Sequence, residues 1–405
     1  MTKKYDDKSV KRGINLLRAG WFLHNFMLIL PVIVLIYTQK GVTVGDFFLI
    51  QGIFRLAAFL FEIPSGYMSD CFSRRRVLIA GSLFHILGFV TIAASYGFWT
   101  IVLGESLLGI SSALFSGTLE AYTYDLLKRN KTQKQFLKEF GNITTYASAA
   151  SMIAGLIGGF LFVQLGTNGL LWLEAFIATI GIFTFLALPE LLEIRRIVKH
   201  KDALTDAISI TVTTVKNPKL RNLILFPSLF GAFTIVLLWI LQPIMEVSHV
   251  SIGLFGIYFG INQLSVLLCA KYAYKICEKL GEIATSIITI FTIILGIIMG
   301  IVAIHTSNIT VIYIACGILA FSSAIRVLNN LQYNTLVHHS IRSTERGTVL
   351  SARAMTATLC GAVFLSTSKF LIDYIGITAT LTALGIMIIP LLWSLKLVSR
   401  YIVKK

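Results

Sequence analysis

Apolar residues run along this chain in blocks of about 20, separated by short polar stretches, from one end to the other. A helix rises about 1.5 Å per residue, so a block of that length crosses the ~30 Å hydrocarbon core of a bilayer. Strands of a membrane barrel are shorter and alternate apolar with polar positions; these blocks do neither. The pattern predicts twelve spans. The first six cover 14–39, 44–69, 76–96, 98–127, 136–165 and 168–190. The second six cover 221–246, 250–276, 281–304, 308–337, 346–373 and 375–400. The longest polar interruption lies between the sets. The predicted organisation is an N-terminal six-helix bundle (1–190), a charged cytoplasmic linker (191–220) and a C-terminal six-helix bundle (221–405). The fold class is therefore an all-α polytopic membrane protein.

Composition agrees. The 405 residues are 56% hydrophobic and 13% charged, where a soluble domain carries about 25% charged residues. The net charge of +16 would suggest nucleic acid in a soluble protein. Here Lys and Arg collect in alternate loops, including Lys3 to Arg12, Arg74 to Arg76, Lys128 to Lys138, Arg195 to Arg221 and Lys396 to Lys405. That is the positive-inside distribution. It excludes nucleic acid as a partner and predicts that both termini face the cytoplasm, with the protein in the plasma membrane (the inner membrane of a Gram-negative cell). Five cysteines are scattered without metal-ligand spacing, so neither a metal nor any other cofactor is expected. There is no phosphate-binding loop. The chain is not expected to be an enzyme, and transport would draw on an ion gradient or on the substrate's own gradient.

The two halves carry an internal echo. Span 4 ends in Tyr-Thr-Tyr124-Asp125 and span 10 in Leu-Gln-Tyr333-Asn334. Equivalent positions in two halves are what parallel repeats about an axis along the membrane normal predict.

The loop between spans 2 and 3 reads Gly66-Tyr-Met-Ser-Asp70-Cys-Phe-Ser-Arg74-Arg75-Arg76-Val-Leu78. It resembles the G-x-L-A-D-R-x-G-R-K-x-x-L pattern of the major facilitator superfamily, matching at Gly66, Asp70, Arg74 and Leu78 and departing at Cys71 and Ser73. With the twelve-span layout, the resemblance covers the whole chain. It implies two six-helix bundles that alternate access to a central cavity. It also implies a conformational latch made by Gly66, Asp70 and Arg74 with Asp125 of span 4. Asp70 sits close to a helix N-terminus, where the dipole favours a carboxylate. The bland alternative is that the arginines only enforce topology.

Span 5 carries small residues at the spacing of the superfamily's antiporter pattern: Gly141, Ala150, Ala154, Gly155, Gly158 and Gly159. Small residues let helix backbones approach closely, so Gly141, Gly155, Gly158 and Gly159 are helix-packing candidates. In span 4, many members place an arginine where this chain has Glu105, followed by Gly109.

Polar residues within the spans are costly and mark function. Helical spacing places Glu105, Ser112, Ser116 and Glu120 on one stripe of span 4, and Gln51, Arg55, Glu62 and Gly66 on one stripe of span 2. A carboxylate withdrawn from water is penalised in its charged form and can take up a proton. Glu62, Glu120 and Glu105 are therefore the proton-coupling candidates, with static ion pairs such as Glu62–Arg55 or Glu120–Arg326 as the alternative. The resemblance implies that spans 1, 4, 7 and 10 line the cavity. Asn25, Arg55, Tyr124, Arg326, Asn330, Tyr333 and Arg353 are the substrate-contact candidates. His24, Tyr122, Trp239 and Gln242 are weaker ones. The leading reading is proton-coupled efflux of a drug or antibiotic-like compound by a monomer embedded in lipid. The alternatives are proton symport of a small anionic or peptide-like solute and, more remotely, a non-transporting receptor.

Overall fold

A computed structural model describes residues 7–94, 96–191, 218–340 and 346–402. All regular structure among them is helical. Ten stretches are long and apolar enough to cross a membrane. Two of the ten hold a pair of predicted spans each. Gln133–Leu186 has 54 residues, about 80 Å if straight, and it turns at Gly166, where φ is 65°. Ala352–Ile388 passes Gly376, where φ is 78°. A positive φ is open to glycine without steric cost, so these residues can end one span and begin the next within a single step. Twelve spans result, as the apolar pattern predicts. The predicted linker lies mostly outside the described residues.

Three spans are broken within their length. Span 1 is helical over Asp7–Asn25, leaves the helix, and resumes through a short 3-10 turn at Leu30–Val32 into Ile33–Gln39. Pro31 accounts for this: it has no N–H to donate, and its ring opposes helix in the preceding turn. Span 4 breaks between Phe98–Phe115 and Thr118–Arg129, at Gly117 with φ 66°. Span 10 breaks between Ile309–Ala324 and Arg326–Ser340. The breaks in spans 4 and 10 precede the matched tyrosines Tyr124 and Tyr333 by about two turns, so the sequence echo is also a structural one.

The chain forms two compact units. One holds Met1–Leu30 and Leu56–Asp202; the other holds Pro31–Arg55 and Ala203–Lys405. The second half of span 1 and the first half of span 2 thus belong with the C-terminal spans. The first unit has an apolar core of Leu17, Leu78, Phe115, Tyr122, Leu126 and Ile143. Tyr122 is fully buried there, and its hydroxyl donates to the Pro189 carbonyl at 2.6 Å. In the second unit, span 2 lies close against span 11 at Gly52. A β-carbon there would sit 2.3 Å from Ser366 Oγ and 3.0 Å from the Ala362 carbonyl oxygen.

Candidate functional site

The loop between spans 2 and 3 is where sequence and structure meet first. Span 2 runs over Val44–Cys71 and span 3 starts at Arg74. Arg74 bonds Asp125 of span 4, and its guanidinium also donates to the Ala121 carbonyl at 3.3 Å. Arg75 and Arg76 lie 3.9 and 3.5 Å from the Glu190 carboxylate. A guanidinium bonded to both a carboxylate and a carbonyl is fixed in direction, which an isolated surface charge is not. Gly66 is exposed, and the Asp70 side chain lies outside the described residues. A cavity of about 390 Å³ opens beside this cluster, lined by Arg74, Gly117, Glu120, Tyr124, Asp125 and Phe136. Glu120 and Tyr124 are both exposed.

The first unit also gathers carboxylates deeper in its spans. Glu105 is 3% exposed. Glu62 is half-buried and accepts a hydrogen bond from Ser116 Oγ at 3.0 Å. Arg18 of span 1 holds Glu139 of span 5 at 2.5 Å. Asn25 turns back on its own helix, donating to the Trp21 carbonyl at 2.8 Å. His24 stacks on Trp21 and lies 4.1 Å, ring centre to ring centre, from His85 of span 3. His85 was not singled out in the sequence; a lone histidine in an apolar run gives little signal. In span 5, Ala150, Ala154, Gly155, Gly158 and Gly159 are buried and Gly141 is exposed.

The second unit is different in sign. Arg55 of span 2 lies across Gly361 of span 11, where a β-carbon would come within 3.1 Å of its Cδ. Arg326 of span 10 belongs to the same unit, and both side chains are partly exposed. Neither has an ion-pair partner among the described residues. Arg353 of span 11 is 5% exposed. It donates to Asn330 of span 10, at 2.5 Å to the side-chain oxygen and 3.1 Å to the carbonyl. Arg353 Nη1 and both amide atoms of the buried Asn329 have no hydrogen-bond partner among the described residues. Tyr333 is fully buried against the Phe226 ring at 5.2 Å. Buried polar atoms are normally satisfied; the open Asn329 amide lies one turn from Arg326 on span 10, and guanidinium groups without a carboxylate partner suit an anionic or polar ligand.

One further ionic cluster sits where span 2 begins. Lys369 of span 11 bonds Asp46, and it also reaches Asp373 at 2.9 Å. Gln242 of span 7 accepts the Val34 amide of the resumed span 1 helix at 3.0 Å. Its role there is to satisfy one of the orphan donors at a helix start.

Twelve helical spans with charged groups buried along their length define a multi-pass membrane transporter. The family model of the Major Facilitator Superfamily matches residues 19–365, and the chain belongs to that superfamily. The inner membrane transport protein YajR of Escherichia coli is 30% identical over 131 residues, which are 32% of this chain and 28% of YajR. An uncharacterised transporter of Buchnera aphidicola is 25% identical over 139 residues, 34% of each chain. The match spans about a third of the length of these relatives. Among solved structures, the nucleoside transporter NupG superposes with a TM-score of 0.81 at 13% identity, covering 96% of this chain and 99% of its own. A bacterial homologue of the lysosomal transporter Spinster gives 0.76 at 13%, with 99% of both chains covered. These two likenesses show the fold.

Proposed function

We propose that the chain is a proton-coupled exporter of a small, amphiphilic solute that carries an anionic group. The observation behind the anionic group is that Arg55 and Arg326, both in the second unit, have no ion-pair partner among the described residues. A guanidinium within a span that lacks a carboxylate partner is stabilised by an arriving carboxylate or phosphate. Arg353, Asn329 and Asn330 add donors beside them. Glu62, Glu105 and Glu120 of the first unit are the groups proposed to exchange protons. The small-residue stripe of span 5 favours exchange, hence efflux. In this reading the termini face the cytoplasm, and Arg74 with Asp125 latches that side with Asp70.

A second reading, symport of an anionic or peptide-like solute into the cell, is favoured by the same arginines, because a proton and an anion moving together carry little net charge. Purified full-length protein in vesicles with a pH-sensitive dye inside separates the two. Imposed gradients of small carboxylates, phosphates and uncharged amphiphiles are screened. Proton movement opposite to the solute supports export, and movement with the solute supports symport. Absence of proton movement with every compound would remove the coupling reading.

A further inference from the structure

Within the apolar stretch of span 6 lies a carboxylate, Glu174, that gave no unambiguous signal in the sequence. It lies in an apolar run and is 2% exposed. No Lys or Arg forms an ion pair with it among the described residues. Instead it faces the break in span 1. Glu174 Oε2 accepts the Leu28 amide at 2.7 Å, and Ile29 follows directly in the chain. Leu28 and Ile29 are themselves buried. On the other side of the break, Ser151 Oγ of span 5 donates to the Asn25 carbonyl at 3.1 Å.

A break within a helix leaves carbonyls without donors on one side and amides without acceptors on the other. Away from water each such group costs on the order of 1–3 kcal/mol if left open. Spans 5 and 6 supply both kinds of partner. An amide oxygen or a hydroxyl would have met the need for an acceptor, as Gln242 does at Val34. The acceptor at Leu28 is a carboxylate, the one type of acceptor that changes character with a proton. The break also divides the two compact units, which part between Leu30 and Pro31.

Building on the proton-coupled reading above, we propose that Glu174 is a proton-binding site of the transport cycle, and that its protonation loosens the break in span 1. Ionised, it makes a charge-assisted bond to the Leu28 amide and draws on the neighbouring Ile29 amide. Such bonds are roughly twice as strong as neutral ones. When a proton arrives on the carboxylate, the acceptor loses its charge and one oxygen becomes a donor. The amides of Leu28 and Ile29 are then weakly held, and the chain at the unit boundary is free to change its dihedral angles. Loss of the proton restores the clamp.

The titratable groups on the packed elements are few. Span 1 brings His24, one turn before Leu28; its Arg18 is already committed to Glu139. Span 3 brings His85. Span 5 brings Lys138, Glu139 and Tyr146, all towards its start, and span 6 adds only Glu190 at its far end, beside Arg75 and Arg76. His24 and His85 border a cavity of about 10 Å³ with Ala178, which is one turn beyond Glu174 on span 6. That volume is near the size of one water. The histidines are thus the groups to separate from Glu174 in any test.

The test uses full-length protein in lipid nanodiscs and needs no substrate. Infrared difference spectra between acid and neutral pH report the C=O stretch of a protonated carboxyl. Hydrogen exchange of the peptide containing residues 24–33, corrected for the intrinsic pH dependence, reports the clamp. Wild type is expected to show the carboxyl band and a protection that falls at least tenfold towards acid pH. Glu174→Gln should lack its share of the band and keep one low, pH-independent protection, while Glu174→Asp should recover a titration at a shifted midpoint. Unchanged spectra and exchange in Glu174→Gln would overturn the proposal. So would a pH dependence that survives in Glu174→Gln and vanishes in His24→Gln or His85→Gln. Thermal unfolding and gel filtration establish that each variant is folded, and Glu174→Asp carries the test if Glu174→Gln is not. Failure of coupled flux in vesicles with a normal result here would count against the transport reading alone.

Discussion

The two compact units of this chain hold opposite kinds of buried charge. In the first, the deep ionisable groups are carboxylates and imidazoles: Glu62, Glu105, Glu174, His24 and His85. Its guanidinium groups are committed, Arg18 to Glu139 and Arg74 to Asp125. In the second, the ionisable groups within the spans include the buried Arg353 and the partly exposed Arg55 and Arg326, while its paired carboxylates Asp46 and Asp373 share Lys369 at the start of span 2. Carboxylates and imidazoles exchange protons in the accessible pH range; a guanidinium does not. The division suggests separate tasks, protons in the first unit and an anionic solute in the second.

The comparison breaks most directly at Arg326. Arg326→Ala should weaken binding of an anionic solute by about 2–5 kcal/mol, the range for removing one partner of a buried charge pair. That is roughly 30- to 1,000-fold in Kd, measured by equilibrium binding to the reconstituted protein. Binding left intact would show that the arginines hold helices together instead. Next in size, Asp125→Asn should cost about 1.5–3 kcal/mol, the range for a hydrogen bond to a charged group. Thermal unfolding in detergent measures it, and the loss should be shared by Arg74→Gln and not be additive with it. A third change tests the second unit's packing. Gly52→Leu places side-chain atoms against Ser366 and the Ala362 carbonyl, and overpacking of that kind costs about 1–3 kcal/mol. The smallest effect belongs to Asp46→Asn. Its partly exposed pair with Lys369 should contribute at most about 1 kcal/mol, read from the same melts.

Much of the fold could be read from hydropathy because a bilayer leaves few options for a 20-residue apolar run. The turn glycines Gly166 and Gly376 fall within three residues of the predicted span ends at 165 and 373. The Arg74–Asp125 bond was anticipated because a family pattern places those residues. Contacts set by helix tilt and rotation were not legible. Asp46 and Lys369 are 323 residues apart, and nothing in their local sequence joins them. The break in span 1 had a signal, Pro31 inside an apolar run, and so did Glu174, a carboxylate in a span with no basic residue. Each is ambiguous alone, since proline kinks and lone buried acids are both tolerated in membranes when neighbouring spans satisfy them. Only their meeting at Leu28 gives them meaning.

The central claim is that protons and solute are handled by different groups. It is tested most directly by measuring solute-driven proton movement against pH in vesicles containing wild type, Glu62→Gln or Arg326→Ala, with a small carboxylate as the solute. Wild type should show a pH dependence of up to about tenfold per unit, the limit for one proton. Glu62→Gln should flatten that dependence while the half-saturating solute concentration stays within about twofold, a change worth less than 0.5 kcal/mol. Arg326→Ala should raise the half-saturating concentration at every pH and leave the slope alone. If both variants change slope and affinity together, or if Arg326→Ala changes neither, the division of labour between the two units is contradicted.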